Sequence, residues 1–272
     1  MTEVLTVLDR LKAVLAAHRT LAVAVSGGVD SLTLARIAGD VAGLDLLAVH
    51  ATGPAVPREA TDRVKRHAAQ AGWTLRLTDA GEYADPDYRR NPVNRCFFCK
   101  TNLYARIRGL TAATIASGTN LDDLGEYRPG LIAAGEHGVV HPFVEAGIDK
   151  RAVRALAAHL GLEDIAELPA QPCLASRVET GIAIDAADLA FIAEVEAAVA
   201  KVTGPGDIRC RVTAGGVRLE IPAGMADASD TACQLDALVS GLCAGEGRVY
   251  AGRGVYRRGS AFLTDGHAVA AP

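Results

Sequence analysis

The sequence predicts an α/β protein, a parallel sheet flanked by helices with a smaller C-terminal α+β domain behind it. Three observations predict this. Through the first two thirds of the chain, short aliphatic runs alternate with stretches of helical period, the pattern of parallel strands joined by crossover helices. Further on, two β-rich segments follow each other directly around Ala214-Gly215-Gly216, which reads as a hairpin. Finally, 272 residues of which 50% are hydrophobic suffice for one large domain or two modest ones, each with its own core.

Each element follows in order. Met1 to Thr20 has apolar residues at helical spacing, interrupted by Glu3, Asp9, Arg10, Lys12 and Arg19, which fits a surface helix and not a signal peptide. Leu21 to Val25 is an aliphatic strand bounded by Ser26-Gly27-Gly28, and a helix runs from Asp30 to about Val41. A strand at Asp45 to Thr52, a charged helix from Pro57 to Ala71 and a strand at Trp73 to Thr78 continue the alternation. Gly81 to Arg95 is polar with two prolines; Cys96 to Arg108 is helical again, and Ala113 to Ala116 is a buried strand ending at Ser117-Gly118-Thr119-Asn120. Asp149 is the expected cap of a helix ending at Gly161. After the proline-rich stretch Pro169 to Pro172 the pattern changes: helix at Ala186 to Lys201, strands at Asp207 to Thr213 and Val217 to Ile221, helix at Ala228 to Leu242, strand at Arg248 to Ala251. The expected domains are 1–175 and 176–272.

Charge and cysteine usage narrow the function classes. Lys and Arg total 28 against 32 Asp and Glu, a formal net charge of -4, so no global basic field exists to gather nucleic acid. No run of apolar residues is long enough to span a membrane. Six cysteines are too sparse for a secreted disulfide scaffold. The expectation is a cytoplasmic protein whose cysteines serve metals or chemistry.

The strongest motif is Ser26-Gly27-Gly28-Val29-Asp30-Ser31, between a buried strand and a helix. Two glycines let the backbone turn so that successive N–H groups form a nest for phosphate at the positive end of the helix. Ser26 and Ser31 add hydroxyls, and Asp30 is placed to act through Mg2+. Neither GxxxxGK[ST] nor GxGxxG is present. The plain alternative is a Gly-containing connection with no ligand. The six residues resemble the SGGxDS signature of PP-loop ATP pyrophosphatases, of adenine nucleotide alpha hydrolase-like fold, which implies ATP binding at this turn and pyrophosphate release while a substrate is adenylated.

A second motif is Asn91-Pro92-Val93-Asn94-Arg95-Cys96-Phe97-Phe98-Cys99-Lys100. Its two thiols suit one metal or cluster, with Arg95 and Lys100 favouring thiolates; structural zinc, a redox disulfide and plain core cysteines stay open. Cys173, in Pro172-Cys173-Leu174-Ala175-Ser176-Arg177, is a third thiol. Three thiols suit three irons of a cubane, whereas zinc would want a fourth ligand such as His141. Cys210, Cys233 and Cys243 lie in ordinary strand and helix patterns and read as packing residues.

Taken together, SGGVDS, NPVNRCFFCK, SGTNLDD, RPG, HPFVEAGIDK and PCLASR, in this order, resemble the LarE family. That family comprises ATP-dependent sulfur transferases that build the pyridinium thiocarboxylate mononucleotide of the nickel-pincer cofactor. The resemblance implies adenylation of a carboxylate of a pyridinium-3,5-biscarboxylate mononucleotide, then displacement of AMP by sulfur. It places Cys173 at the sulfur-bearing position. Members with only that cysteine surrender its sulfur and keep dehydroalanine; members with the C-x-x-C hold a [4Fe-4S] cluster carrying an extra sulfide. The presence of Cys96, Cys99 and Cys173 together favours the cluster type, with sacrificial use of Cys173 as the alternative. ATP, Mg2+ and the cluster are thus the implied cofactors, sulfide or another sulfur donor the implied partner, and a homo-oligomer the implied assembly.

Further site residues follow. Asp122 and Asp123 end a strand at the carboxyl edge where ligands bind in open α/β sheets, although such a pair also serves as a loop and helix cap. Arg128 and Lys100 can contact phosphate or acidic substrate, or be solvated charges. Arg209 and Arg211 alternate along one strand and share a face, which suits a mononucleotide phosphate or an ordinary solvated face. The resemblance assigns them, with Arg177 and Glu196, to the substrate. One departure is Gly252, where the family commonly has aspartate; a substrate or metal contact there is either missing or replaced by Asp265. Two other readings compete. A PP-loop tRNA thiolase shares ATP and three cysteines, but the acidic charge and 4% aromatic content count against RNA. A nucleotide- and zinc-binding regulator without turnover is the other.

Overall fold

A computed structural model describes residues 2–125, 128–204, 206–226, 229–257, 263–264 and 267–268. The chain folds as two compact units: Met1–Asp85 with Asn94–Gln171, and Pro86–Val93 with the chain from Pro172 onward.

The first unit is built on helix α1 (Thr2–Leu15), strand β1 (Thr20–Ala24), α2 (Val29–Gly39), β2 (Asp45–Thr52), α3 (Arg58–Ala71) and β3 (Thr74–Asp79). One-turn helix α4 (Pro86–Arg89) belongs to the second unit. The first then resumes with α5 (Arg95–Leu110), β4 (Thr114–Ala116), α6 (Pro129–Glu136), α7 (Pro142–Glu145), α8 (Lys150–His159) and α9 (Glu163–Ala166). The sheet order is β3-β2-β1-β4 and all three pairings are parallel. Because the chain adds β2 and β3 on one side of β1 and then returns to add β4 on the other, the strand order reverses between β1 and β4. That is where an open parallel sheet offers a crevice at its carboxyl ends.

Alternation along β1 sorts the core. Leu21 and Val23 face a cluster with Leu11, Leu32, Leu34, Ile37, Phe143 and Leu156, while Ala22 faces Leu103, Tyr104, Ile107 and Ile115. Leu32, Leu34 and Ile37 of α2 have no exposed surface, each worth about 1.5–3 kcal/mol of burial. This fixes the N-terminus of α2 directly beyond the end of β1. Pro129 and Pro142 open α6 and α7, short helices that hydrophobic periodicity alone does not mark.

In the second unit α10 (Ala186–Thr203) is capped by Asp185, whose side chain accepts from Ala187 N. Then come β5 (Arg209–Thr213), β6 (Gly216–Ile221), α11 (Ala223–Ala226), α12 (Ser229–Gly245), β7 (Tyr250–Val255), β8 (Leu263–Thr264) and β9 (His267–Ala268). β5 and β6 form the expected antiparallel hairpin, and β7 adds to β6 in parallel, giving the order β5-β6-β7. Asn91, quoted above as part of the cysteine motif, has a role in this unit's fold. It is fully buried with φ 54°, and its Nδ2 donates to the carbonyls of Glu179 (2.9 Å) and Ile182 (3.0 Å). Among the described residues no helix is long and apolar enough to cross a membrane.

Candidate functional site

The loop after β1 is held in shape by its own serines. Ser31 Oγ accepts from Ser26 N at 3.0 Å and lies 3.2 Å from Ser26 Oγ, while Gly28, the N-cap of α2, has no side-chain cap. The helix therefore presents backbone donors that its own sequence leaves to an anion. Gly27 is required twice over: its φ is +86°, and a Cβ would stand 2.8 Å from the Ala60 carbonyl oxygen of α3. The loop leading out of β4 packs as closely, since a Cβ on Gly118 would lie 2.8 Å from Ser31 N. His50, buried on β2, contacts the Val25 carbonyl through Nδ1 (2.7 Å) and Thr61 Oγ1 through Nε2 (2.9 Å). Burial lowers its pKa, so Nδ1–H donates and the neutral ring braces the loop.

Asp30 is the centre of a constellation across the β1–β4 crevice. Its Oδ1 accepts from Asn120 Nδ2 (3.1 Å) and its Oδ2 from Lys150 Nζ (2.5 Å). Asp122 joins through Lys150, whose backbone N donates to Asp122 Oδ2 at 3.3 Å. Asp123 accepts from Asn120 N (3.0 Å) and pairs with Arg128 (2.9 Å). Asp30, Asp122, Ser26, Gly27, Gly28 and Ser31 are thus gathered at one edge, as a nucleotide site requires. Lys150 and Asn120 received no role in the sequence reading. Lys150 directly follows the α8 cap Asp149, so its local sequence carries no signal of a distant partner.

Cys96 and Cys99 lie in the first turn of α5, three residues apart and half-buried. Lys100 follows on the same helix, and a Cβ on Gly130 would stand 3.1 Å from its Cγ. Its Nζ lies 6.0 Å from the centre of the Tyr104 ring. His141 Nδ1 lies 2.8 Å from Ser117 Oγ, and burial lowers its pKa. Within each unit, among the described residues, no group of three His, Cys, Asp or Glu side chains is gathered as a metal site.

In the second unit Cys173 is half-buried and precedes a 3-10 turn, Leu174–Arg177. Arg177 folds back over it: Nη1 donates to the carbonyls of Pro172 (2.8 Å) and Cys173 (3.3 Å), while Nε and Nη2 grip both oxygens of Glu196 (2.9 and 3.0 Å). Glu196 Oε1 also accepts from Cys210 N. Arg211 donates to Glu220 (2.7 Å) and to the Ser176 carbonyl (2.9 Å). Arg209 is buried, donates to the Ile208 carbonyl and stacks on Tyr256, 4.9 Å from the ring centre. Cys210 and Cys243 are buried and Cys233 is exposed; burial, reinforced by Glu196, pushes the Cys210 thiol up, and burial raises Cys243 as well. Gly252 has φ 93°, a conformation that strains an aspartate. Asp265 lies outside the described residues.

No family model matches the chain. It is 36% identical to an uncharacterized protein of Synechocystis sp., slr1717, over 204 residues, 74% of this chain and 75% of that protein. It is 29% identical to the pyridinium-3,5-bisthiocarboxylic acid mononucleotide synthase of Lactiplantibacillus plantarum over 205 residues, 74% of each chain. The chain belongs to one family with slr1717. A third relative, the uncharacterized protein MJ0830 of Methanocaldococcus jannaschii, is 26% identical over 183 residues, 66% of this chain. The parallel sheet flanked by helices and the separate mixed sheet described above are consistent with a PP-loop-like fold.

Proposed function

We propose that this chain is an ATP-dependent sulfur transferase that adenylates a carboxylate of pyridinium-3,5-biscarboxylate mononucleotide and converts it to a thiocarboxylate. One observation carries the reading: Asp30 of the Ser26–Ser31 loop meets Asn120 and Lys150 in a chain related to the Lactiplantibacillus plantarum synthase. ATP phosphates would take the free backbone donors of the loop. Asp30 would hold Mg2+, with Asp122 beside it, and Lys150 would neutralise charge building on the departing pyrophosphate. A substrate carboxylate oxygen bonds to the α-phosphorus as the bond from that phosphorus to pyrophosphate breaks. Sulfur then bonds to the acyl carbon and AMP leaves with the electrons of the carbon–oxygen bond. The adenylate matters because a bare carboxylate has no adequate leaving group.

The donor chemistry suits an iron–sulfur cluster: Cys96 and Cys99, one helical turn apart and half-buried, are soft ligands beside Arg95 and Lys100. With Cys173 they would hold a [4Fe-4S] cluster. Bound there, it would supply sulfide to the activated carboxyl group. Arg177 would fix the backbone on both sides of Cys173 through its bonds to the Pro172 and Cys173 carbonyls. Arg209 and Arg211 are the proposed contacts of the mononucleotide phosphate.

The test uses anaerobically purified protein with ATP, Mg2+, sulfide and the biscarboxylate mononucleotide. Pyrophosphate release and replacement of oxygen by sulfur in the product are expected, with iron and labile sulfide in the protein. Loss of hydrogen sulfide from Cys173 by intact mass after one turnover would instead establish sacrificial use. Salt-sensitive retention on RNA without thiolation of the mononucleotide would transfer the reading to a tRNA thiolase.

A further inference from the structure

Arg63 of α3 is only 7% exposed, yet its partners are neutral. One nitrogen, Nη1, donates to the Gly27 carbonyl at 2.7 Å and to Gln171 Oε1 at 3.1 Å. Among the described residues no carboxylate lies within ion-pair distance of it; Asp164, which pairs with Arg66 and His67, and Glu59 act on Arg63 only from farther away. Arginine stays protonated in proteins, so this is a buried cation with no carboxylate in direct contact, an arrangement that costs free energy unless a closer negative charge is supplied.

Its position says what that is. Ala60, one turn earlier on α3, presses against Gly27, so the helix face carrying Arg63 backs the anion loop. The Gly27–Gly28 peptide is trans, and in a trans peptide the carbonyl and the following N–H point in opposite directions. A guanidinium holding the Gly27 carbonyl therefore aims the Gly28 N–H away from α3 and polarises it as a donor. That N–H has only a long 3.4 Å contact to Ser26 Oγ.

We propose that Arg63 is a positioning residue of the loop, orienting the Gly28 N–H for a polyphosphate whose negative charge completes its own ion balance. The inference rests on the reading of the loop as an ATP site and adds to it a residue from outside the motif. It also predicts a preference: the diphosphate part of ATP, not the nucleoside, should depend on Arg63.

Binding of ATP, inorganic pyrophosphate and adenosine to the full chain tests it by calorimetry, with thermal unfolding measured on the same samples. In R63M, affinity for ATP and pyrophosphate should fall about ten- to hundredfold while adenosine affinity holds. Melting without ligand should stay level or rise, because methionine fills the space without a buried charge. R63K, which keeps the charge, should recover most of the phosphate affinity. Unchanged pyrophosphate binding in R63M overturns the proposal, as does equal loss for ATP and adenosine, which marks general damage to the fold. Wild-type protein that binds neither ATP nor pyrophosphate removes the ATP reading and this inference with it.

Discussion

The two units use charge in opposite ways. In the first, Asp30 and Lys150 meet with side chains 27% and 32% exposed, open to exchange partners when a ligand arrives. In the second, Arg177 and Glu196 meet at 5% and 17% exposure, and Arg211 and Glu220 at 11% and 12%, with further bonds to backbone carbonyls. A half-exposed pair contributes little to stability and gives way easily; a buried bidentate pair is a structural cross-link. Arg177, bidentate to Glu196, is thus read as a cross-link, while Arg211, bonded to Glu220 through Nε, keeps its proposed phosphate role.

Substitutions should separate these uses. The largest effect is expected for D30A, with pyrophosphate release falling about a thousandfold and K150A about a hundred- to thousandfold, both with little change in melting temperature. Melting that collapses with D30A would show the pair to be a cross-link after all. C173A should keep pyrophosphate release and lose sulfur transfer, measured on the same reaction mixture.

Next in size, R177M should lower unfolding free energy by about 3–5 kcal/mol in urea titrations, because it strands the Glu196 carboxylate in a buried site. Were R177M as stable as wild type, with only the Michaelis constant for the mononucleotide raised, Arg177 would belong with the exchangeable charges of the first unit.

A smaller effect concerns pH. Burial lowers the pKa of His50 and His141 in the folded chain from an ordinary value near 6.5. Below that value the unfolded chain binds more protons than the folded one, so stability is full above pH 6.5 and is lost as pH falls through the lowered values. Glu82 works the other way: burial raises its pKa above 4.5, and stability is lost as pH rises from there through the raised value. Melting curves stepped downward from neutral pH should show the histidine effect, weaker in H50Q; E82Q should melt higher than wild type at neutral pH. The smallest effect is chemical: in native protein Cys233 should alkylate readily while Cys210 and Cys243 resist until unfolding, followed by peptide mass mapping.

Much of the fold was legible because its signals are local. An aliphatic run followed by Ser-Gly-Gly marks β1 and its turn, and Asp149 caps α8 as expected, accepting from Ala152 N at 2.7 Å. The short helices α6 and α7 were not, since two turns or fewer carry no period and are set by Pro129, Pro142 and the packing of Phe143. The membership of Pro86–Val93 in the second unit was also hidden, because it depends on Asn91 reaching carbonyls nearly ninety positions away.

The same division runs through the site. Backbone conformation is written locally, so the order of residues alone specified the glycine turn between β1 and α2 and the one-turn spacing of Cys96 and Cys99 on α5. Partnership is not local. That Lys150 and Asn120 share Asp30, that Arg63 stands behind Gly27, and that Arg177 and Arg211 hold carboxylates of their own unit follow from folding, which brings together groups 9 to 120 residues apart only after the sheet and helices have packed.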